Sequence, residues 1–433
     1  MPKKNTRTIP VTNKFWLTLD NAAKIFPAVI NDELTSVFRL SAVLKHPVRI
    51  GALQKAVLKV EERYPYFRVQ LKEGFFWYYL EHLPVHIPVE PDIGRYCKRF
   101  ERGSLLLRFL ARDNILSAEF SHILTDGSGA FEFFKTTLIH YISECEMEVP
   151  PEYLLKDPAD MVHEEEYEDA YKRYFRQDIP PMIKRSKAFH IPFRLKTPPR
   201  YSRLCMIFPL DHMKQIATEK GVSITVYLAS VYLYTLQRIY EDMNHSGRPR
   251  NHKKLRIQIP VDLRNILPSK TMRNFSLFVM PEIDLRLGHY SFEEIIKVVY
   301  HQVQLETDEK LINKNISRNV GSEKKLVVRG IPLFLKSMIL RATFYSLGTS
   351  QYSGVITNLG KIAMPGKTGR MIDYFVFTPP PPNKMLKINC GIIGFGNKLV
   401  LSFGNVSTSG IFEQNFLQFL KQQSASLEVE TFN

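Results

Sequence analysis

The chain has 433 residues, 44% hydrophobic and 12% aromatic, which is enough apolar material for sizeable cores and a length that fits two domains of about 100–200 residues. Fifty-nine Lys and Arg against 43 Asp and Glu give a formal net charge of +16. This excludes a disordered chain or an acidic solvating protein and leaves four kinds of partner: nucleic acid, an anionic membrane surface, a phosphorylated cofactor or an acidic protein.

Residues 35–44 are rich in β-branched and apolar types and predict a strand. In 48–64, Ile50, Leu53, Val57, Val60 and Tyr64 recur at helical spacing. Residues 66–80 read as a hairpin turning at Glu73-Gly74, and 104–111 with 114–121 as a strand pair turning at Arg112-Asp113-Asn114. A loop over 122–129 leads to a helix with Phe131, Phe134, Leu138 and Ile142 on one face. Residues 150–169 then carry eight acidic residues against one lysine, whereas 179–210 carry seven Lys or Arg and no acid, with prolines throughout both. Such a Pro-rich charge reversal predicts an inter-domain crossing. The expected division is an N-terminal subdomain over 1–178, a basic linker over 179–202 and a C-terminal subdomain over 203–433.

The second half predicts a strand at 203–208, helices at 211–220 and 224–240, and a polar, basic loop at 241–254. Strands follow at 255–261 and 275–284, then a helix at 291–306 and a basic, weakly patterned stretch at 307–330. A helix over 332–346 leads to a strand ending in Thr357-Asn358-Leu359-Gly360. The run 378–383 is a stiff turn, 387–395 and 398–406 a hairpin, and 411–426 a last helix. Strands and helices mix without regular alternation, which favours two α+β layered domains with mixed sheets over a barrel or a dinucleotide-binding fold.

Cys97, Cys145, Cys205 and Cys390 form no CxxC and no Cys/His cluster, so neither a disulfide framework nor a zinc site is expected. The first 21 residues lack the apolar core of a secretory signal, and the longest nearly apolar run, 224–236, is too short to cross a bilayer. A cytoplasmic location is expected, with peripheral membrane contact kept open. His82 and His86 have the four-residue spacing of helical metal ligands, but Pro84 lies between them and no third ligand is near, so no metal is expected. The basic run 245–254 has no aromatic neighbours of the kind that stack on bases, which argues against nucleic acid.

One segment concentrates chemistry: Phe120-Ser121-His122-Ile123-Leu124-Thr125-Asp126-Gly127-Ser128-Gly129. An apolar strand delivers a histidine at its end, an aspartate follows four residues later, and glycines allow a sharp turn into a helix. A neutral imidazole is the usual general base near pH 7.

With this motif in place, the chain resembles the HxxxD acyltransferase superfamily of chloramphenicol-acetyltransferase-like fold. That superfamily includes condensation domains of peptide synthetases, plant BAHD acyltransferases and bacterial alcohol acetyltransferase-like proteins, and the likeness is nearest to the last group. Further landmarks run in order along the chain: residues 19–27 (LDNAAKIFP), 63–67 (RYPYF), 76–80 (FWYYL), 259–265 (IPVDLRN), 273–275 (RNF) and 357–360 (TNLG). The resemblance implies two similar subdomains around an inter-domain tunnel with His122 at its centre, walled by residues near 264–284 and 355–360. It implies transfer of an acyl group, acetyl first among the candidates, from acyl-CoA to an alcohol or amine, with His122 as base and no acyl-enzyme. Asp126 would point away from the substrates and pair with Arg264, while Gly127, Asn274 and Asn358 would face the tunnel. No permanently bound cofactor is implied. A small-molecule or lipid acceptor is expected, with an acidic carrier protein as a further partner.

The sequence also departs from its relatives. Ser121 stands where condensation domains carry a second histidine, and Cys390–Gly396 does not match the DFGWG motif of the plant enzymes. Two alternatives therefore stand beside acyl-CoA chemistry. One is a condensation-type enzyme taking its donor from a carrier protein in trans, since no carrier domain is fused. The other is a non-catalytic binding or membrane-surface module of the same fold.

Overall fold

The computed structural model describes residues 15–155, 162–177, 179–180, 185–245, 252–324, 326–424 and 429–432. Parts of several predicted segments lie outside them: 1–14 of the N-terminal stretch, 156–161 of the acidic stretch, 178 and 181–184 around the linker, 246–251 of the basic loop, 325 of the weakly patterned stretch and 425–426 of the last helix.

A five-stranded sheet is ordered Ile372–Thr378, Val37–Leu44, Ile115–Ser121, Leu107–Arg112, Val89–Pro91. All its pairs are antiparallel except the last. The helices Ile50–Arg63 and Gly127–Glu144 pack on each other, the first burying Leu53, Ala56, Val57 and Val60. The register aligns Arg39, Glu119 and Arg108 across three neighbouring strands. Glu119 is buried and accepts from Arg39 Nε at 2.8 Å and Arg108 Nε at 2.9 Å. Burying this carboxylate is tolerable because both oxygens are matched by guanidinium donors.

The larger sheet has eight strands. At its centre Gly354–Ile362 runs parallel to both Lys254–Asp262 and Ile388–Phe395. A third sheet joins Trp16–Thr18 to the hairpin Val69–Glu73 and Tyr78–His82. Two main apolar clusters correspond to the smaller and larger sheets. The mixed sheets and helices make this an α+β fold, as the residue pattern predicts.

Three departures have physical causes. The chain does not divide linearly, because Ile372–Thr378, from the stretch read as C-terminal subdomain, forms an edge of the smaller sheet against Val37–Leu44. The strand predicted over 275–284 is two, Ser276–Val279 and Glu282–Asp284, parted at Pro281, which has no N–H to give a ladder. The weakly patterned 307–330 stretch holds the helix Glu309–Lys324, whose buried face alternates apolar Ile312, Ile316 and Val320 with polar Asn313 and Ser317, which blurs the helical stripe.

Candidate active site

Along Ile115–Ser121 the even-numbered Leu116, Ala118 and Phe120 enter the apolar core, while Ser117, Glu119 and Ser121 take the other face. The same alternation carries the His122 ring toward the apolar side, one residue beyond the strand. Its N–H donates to the Ser36 carbonyl at 2.8 Å. Its ring stacks on Phe26, with centroids 5.4 Å apart, and leans on Phe38 at 4.6 Å. Burial pushes its pKa below the ordinary histidine value, against the opposing effects of the Asp126 charge, the Asn274 side chain and the Thr125 carbonyl. The imidazole is therefore neutral near pH 7, the state a general base requires.

Asp126 caps the helix Gly127–Glu144, accepting from the Gly129 N–H at 3.0 Å, and also accepts from the Phe275 N–H at 2.7 Å. Arg264 reaches the same carboxylate with two N–H groups, at 3.0 and 3.2 Å. It gives its remaining donors to Asp262 at 2.8 Å and to the carbonyls of Thr271 and Arg273 at 2.9 and 2.6 Å. Two residues 138 positions apart are thus joined through a bidentate, mostly buried pair.

Asn274 is buried and donates to the His122 carbonyl at 3.0 Å and to Asp20 at 3.0 Å. Asp20 is itself fully buried and accepts the Ala23 N–H at 2.8 Å, with Arg273 at 3.5 Å. Burial pushes its pKa up to about 6, against the opposing charge of Arg273. Asp20 and Arg273 stand in the quoted landmarks, but nothing in their local spacing gives them a role, because their partners are about 250 residues away. Asn358 donates to Thr225 at 2.9 Å, at the start of the helix Ile224–His245, and accepts the Gly360 N–H. Its neighbour Leu359 meets Gly127, where an added Cβ would lie 2.6 Å from a leucine methyl. The decoy histidines have separate surroundings: His86 pairs with Glu61, and His82 stacks on Phe15.

A cavity of about 430 Å³ opens beside this turn, and cavities of about 730 and 860 Å³ share lining residues with it. The smallest has Pro27, Ile30, Ser121 and Ile123 in its wall, bracketing His122 in sequence. It shares Thr35, Arg99 and Glu101 with the second, where Arg95, Lys98, Arg200 and Lys384 add positive charge. It shares Tyr78 with the third, which is lined by Trp16, Phe76, Trp77 and Tyr79. The expected walls are different. None of these three cavities is lined by His122, by Gly127, Asn274 or Asn358, or by any residue of 264–284 or 355–360. Those stretches instead form a packed joint, their polar groups bonded to Asp126, Asp20, the His122 carbonyl and Thr225.

No protein-family profile and no curated protein sequence matches the chain. Solved structures do. The starter condensation domain of rhizomide synthetase RzmA is 10% identical, with 95% of this chain and 97% of that one covered and a TM-score of 0.54. The TRI3 trichothecene 15-O-acetyltransferase of Fusarium sporotrichioides is 10% identical, with 96% of each chain covered and a TM-score of 0.59. TRI101 of F. sporotrichioides, solved with coenzyme A and T-2, is 11% identical, covering 96% of this chain and 99% of that one, with a TM-score of 0.58. The chain has the chloramphenicol-acetyltransferase-like fold that these condensation domains and acetyltransferases share.

Proposed function

We propose that the protein is an acyltransferase that moves an acyl group from a coenzyme A thioester to an alcohol or amine. The observation that carries this reading is the half-buried imidazole of His122, stacked on Phe26 at a strand end and followed by a turn that Asp126 and Arg264 lock. In the proposed reaction one ring nitrogen takes the proton of the acceptor O–H or N–H. The freed lone pair attacks the thioester carbonyl, the C–S bond breaks, and the imidazolium returns the proton to the departing thiolate. The Thr125 carbonyl stands beside the ring to hold the other N–H. The products are an ester or amide and free coenzyme A.

The chain of cavities supports a two-substrate arrangement. The one where Arg95, Lys98, Arg99, Arg200 and Lys384 outnumber Asp32, Glu33 and Glu101 would offer a donor's phosphates its cations, three of which now pair with Asp32 and Glu33, and the aromatic one, with Trp16, Phe76 and Trp77, suits an apolar acceptor. His122 lines none of these cavities, so both reactants would have to meet it through the wall formed by Ser121 and Ile123, and holding them there would supply the proximity that a bimolecular transfer otherwise lacks. Binding would have to displace Phe26, whose ring now covers the imidazole.

The test is release of free thiol from acetyl-CoA in the presence of a panel of alcohols and amines. Release should be acceptor-dependent, fall as pH drops through a value below 6.5, and decrease by about 10²–10⁴-fold in His122→Ala. Thiol release unchanged in that variant refutes the general-base role. Release only from an acylated carrier protein transfers the reading to a carrier-bound donor.

A further inference from the structure

The helix Leu333–Thr343 is packed with its polarity reversed. A helix held only by a core turns its apolar stripe inward and its charges outward. Here Phe334 and Met338 are 67% and 68% exposed, and Leu335 and Ile339 stand exposed beside them, one helical turn apart. The inward residues are Leu333 and Lys336. The Lys336 ammonium donates to the carbonyls of Phe76 and Arg329 at 3.1 and 3.2 Å and lies 3.5 Å from the Trp77 ring centroid. A cation thus holds the helix against the hairpin tip, and the apolar side is left outside.

That tip extends the same face. The Leu333 N–H donates to the Phe75 carbonyl at 2.9 Å, and Phe75 is 72% exposed. At the far end, Arg341 donates to the Ala28 carbonyl at 3.0 Å, so the helix is anchored to the short helix Phe26–Val29 as well. The surrounding charge is predominantly positive, with Glu73 at the hairpin tip and Glu323 beside Lys324 as acidic exceptions. From Lys324 to Ile372 the sequence holds eight Lys or Arg and no Asp or Glu. Lys324, Arg329 and Arg341 in this stretch are exposed.

We propose that the face formed by Leu333–Thr343 and the hairpin tip docks on an anionic lipid bilayer. Phe334, Met338, Ile339 and Phe75 enter the boundary between headgroups and acyl chains, and Lys324, Arg329 and Arg341 lie among the anionic headgroups. Exposed aromatic and aliphatic side chains flanked by an excess of cations match such a surface in both respects. Exposed contiguous apolar area of this kind marks an interaction site, and the excess of cations, eight Lys or Arg without an acid over 324–372, makes the anionic bilayer the complementary occupant. The 860 Å³ aromatic cavity has Phe76, Trp77, Lys324 and Arg329 in its wall, so docking would bring its mouth to the lipid surface. The proposal does not depend on acyl transfer.

The experiment is flotation of the full chain with vesicles of phosphatidylcholine alone and of phosphatidylcholine mixed with phosphatidylglycerol. The chain should float with the mixed vesicles and less so as salt is raised. Phe334→Glu combined with Met338→Glu should abolish flotation with the circular dichroism spectrum unchanged. Arg329→Gln should weaken partitioning about fivefold, the contribution of one cation near the surface. His122→Ala should float as the unaltered chain does, which separates this proposal from the catalytic one. Failure of the unaltered chain to float with mixed vesicles, or equal flotation of the double variant, overturns it. So does a double variant that turns a dimer into a monomer while still floating, since the face is then an interface between copies.

Discussion

The turn that carries His122 is held by opposite means at its two ends. At the Asp126 end, polar groups are matched to polar groups: the carboxylate receives two backbone N–H groups and two guanidinium N–H groups, and Arg264 has its remaining donors placed on Asp262 and two carbonyls. At the His122 end the ring lies against Phe26 and Phe38, and the backbone is held through Ser36 and Asn274. A saturated ionic joint has no capacity left for a substrate, whereas a titratable ring packed in aromatic side chains exchanges one contact for another at little cost. The difference sets the two motif residues apart: Asp126 joins the two sheets' surroundings through Arg264, and His122 is the one to which the proposed reaction gives the base's role.

The sharpest way to break this contrast is to remove each end in turn. Asp126→Ala strips a mostly buried guanidinium of its bidentate partner, leaving it Asp262, and should cost about 3 kcal/mol of stability, the low end for a broken buried pair, together with activity. Arg264→Ala should do much the same, and the double variant should lose little beyond either single one, because both remove one interaction. His122→Ala, by contrast, should lose activity with a near-normal melting temperature. Denaturant titration of the four proteins checks both statements. Additive losses for Asp126 and Arg264, or a His122→Ala protein as unstable as Asp126→Ala, would erase the distinction.

The same contrast explains what the sequence makes legible. The motif reads directly because its histidine, aspartate and glycines are contiguous, between an alternating strand and a helical stripe. Most predicted elements lie close to their observed places for the same local reason. The pair with Arg264 comes from the family resemblance, since no spacing rule joins residues 138 apart. What local pattern could not supply depends on long-range contact. Asn274 is expected to face substrate but is consumed by Asp20 and the His122 carbonyl. The strand Ile372–Thr378 joins the other sheet, and no local signal says which sheet an apolar run will enter. The cavity walls come from residues 27–35, 70–78 and 99–106 rather than from the predicted stretches, because those stretches are spent on the joint.

A second test concerns the deepest member of the joint. Asp20 is fully buried, and its pKa in the fold is about 6 against an ordinary 3.8. Because the folded value is the higher one, the fold favours the protonated form. The stability this gives is present in full below pH 3.8 and is lost as pH rises through 6. Asp20→Asn cannot titrate. The stability of the natural chain relative to this variant should therefore fall by about 3 kcal/mol across that window. Urea denaturation at a series of pH values measures the difference. A constant difference would show that folding leaves the Asp20 pKa unchanged, and one that rises with pH would show that Asp20 is stabilised as an anion, making it an ionic partner of Arg273 like Asp126 of Arg264.

The smallest expected effect separates two glycines of the motif. Gly127 draws attention in the sequence because it follows the aspartate, but its neighbour in space is the end of the Leu359 side chain, which can rotate aside. Gly129 is packed against the main chain of the other half. A Cβ there would lie 2.8 Å from the Met272 carbonyl carbon and closer still to its oxygen, which already accepts the Thr125 hydroxyl at 2.5 Å. Neither partner can yield without opening the joint: Met272 is anchored by its own N–H to the Glu166 carbonyl at 2.7 Å, and Thr125 precedes the capping aspartate. Gly127→Ala should therefore change stability little, the added helix propensity offsetting the leucine's movement. Gly129→Ala has the same gain in propensity, yet should be destabilised by about 1–3 kcal/mol, the usual cost of overpacking. Thermal melts of the two variants decide the matter. If they shift equally, the closest approach between the halves does not lie at Gly129, and the rigidity attributed to the Asp126 end must come from the ion pair alone.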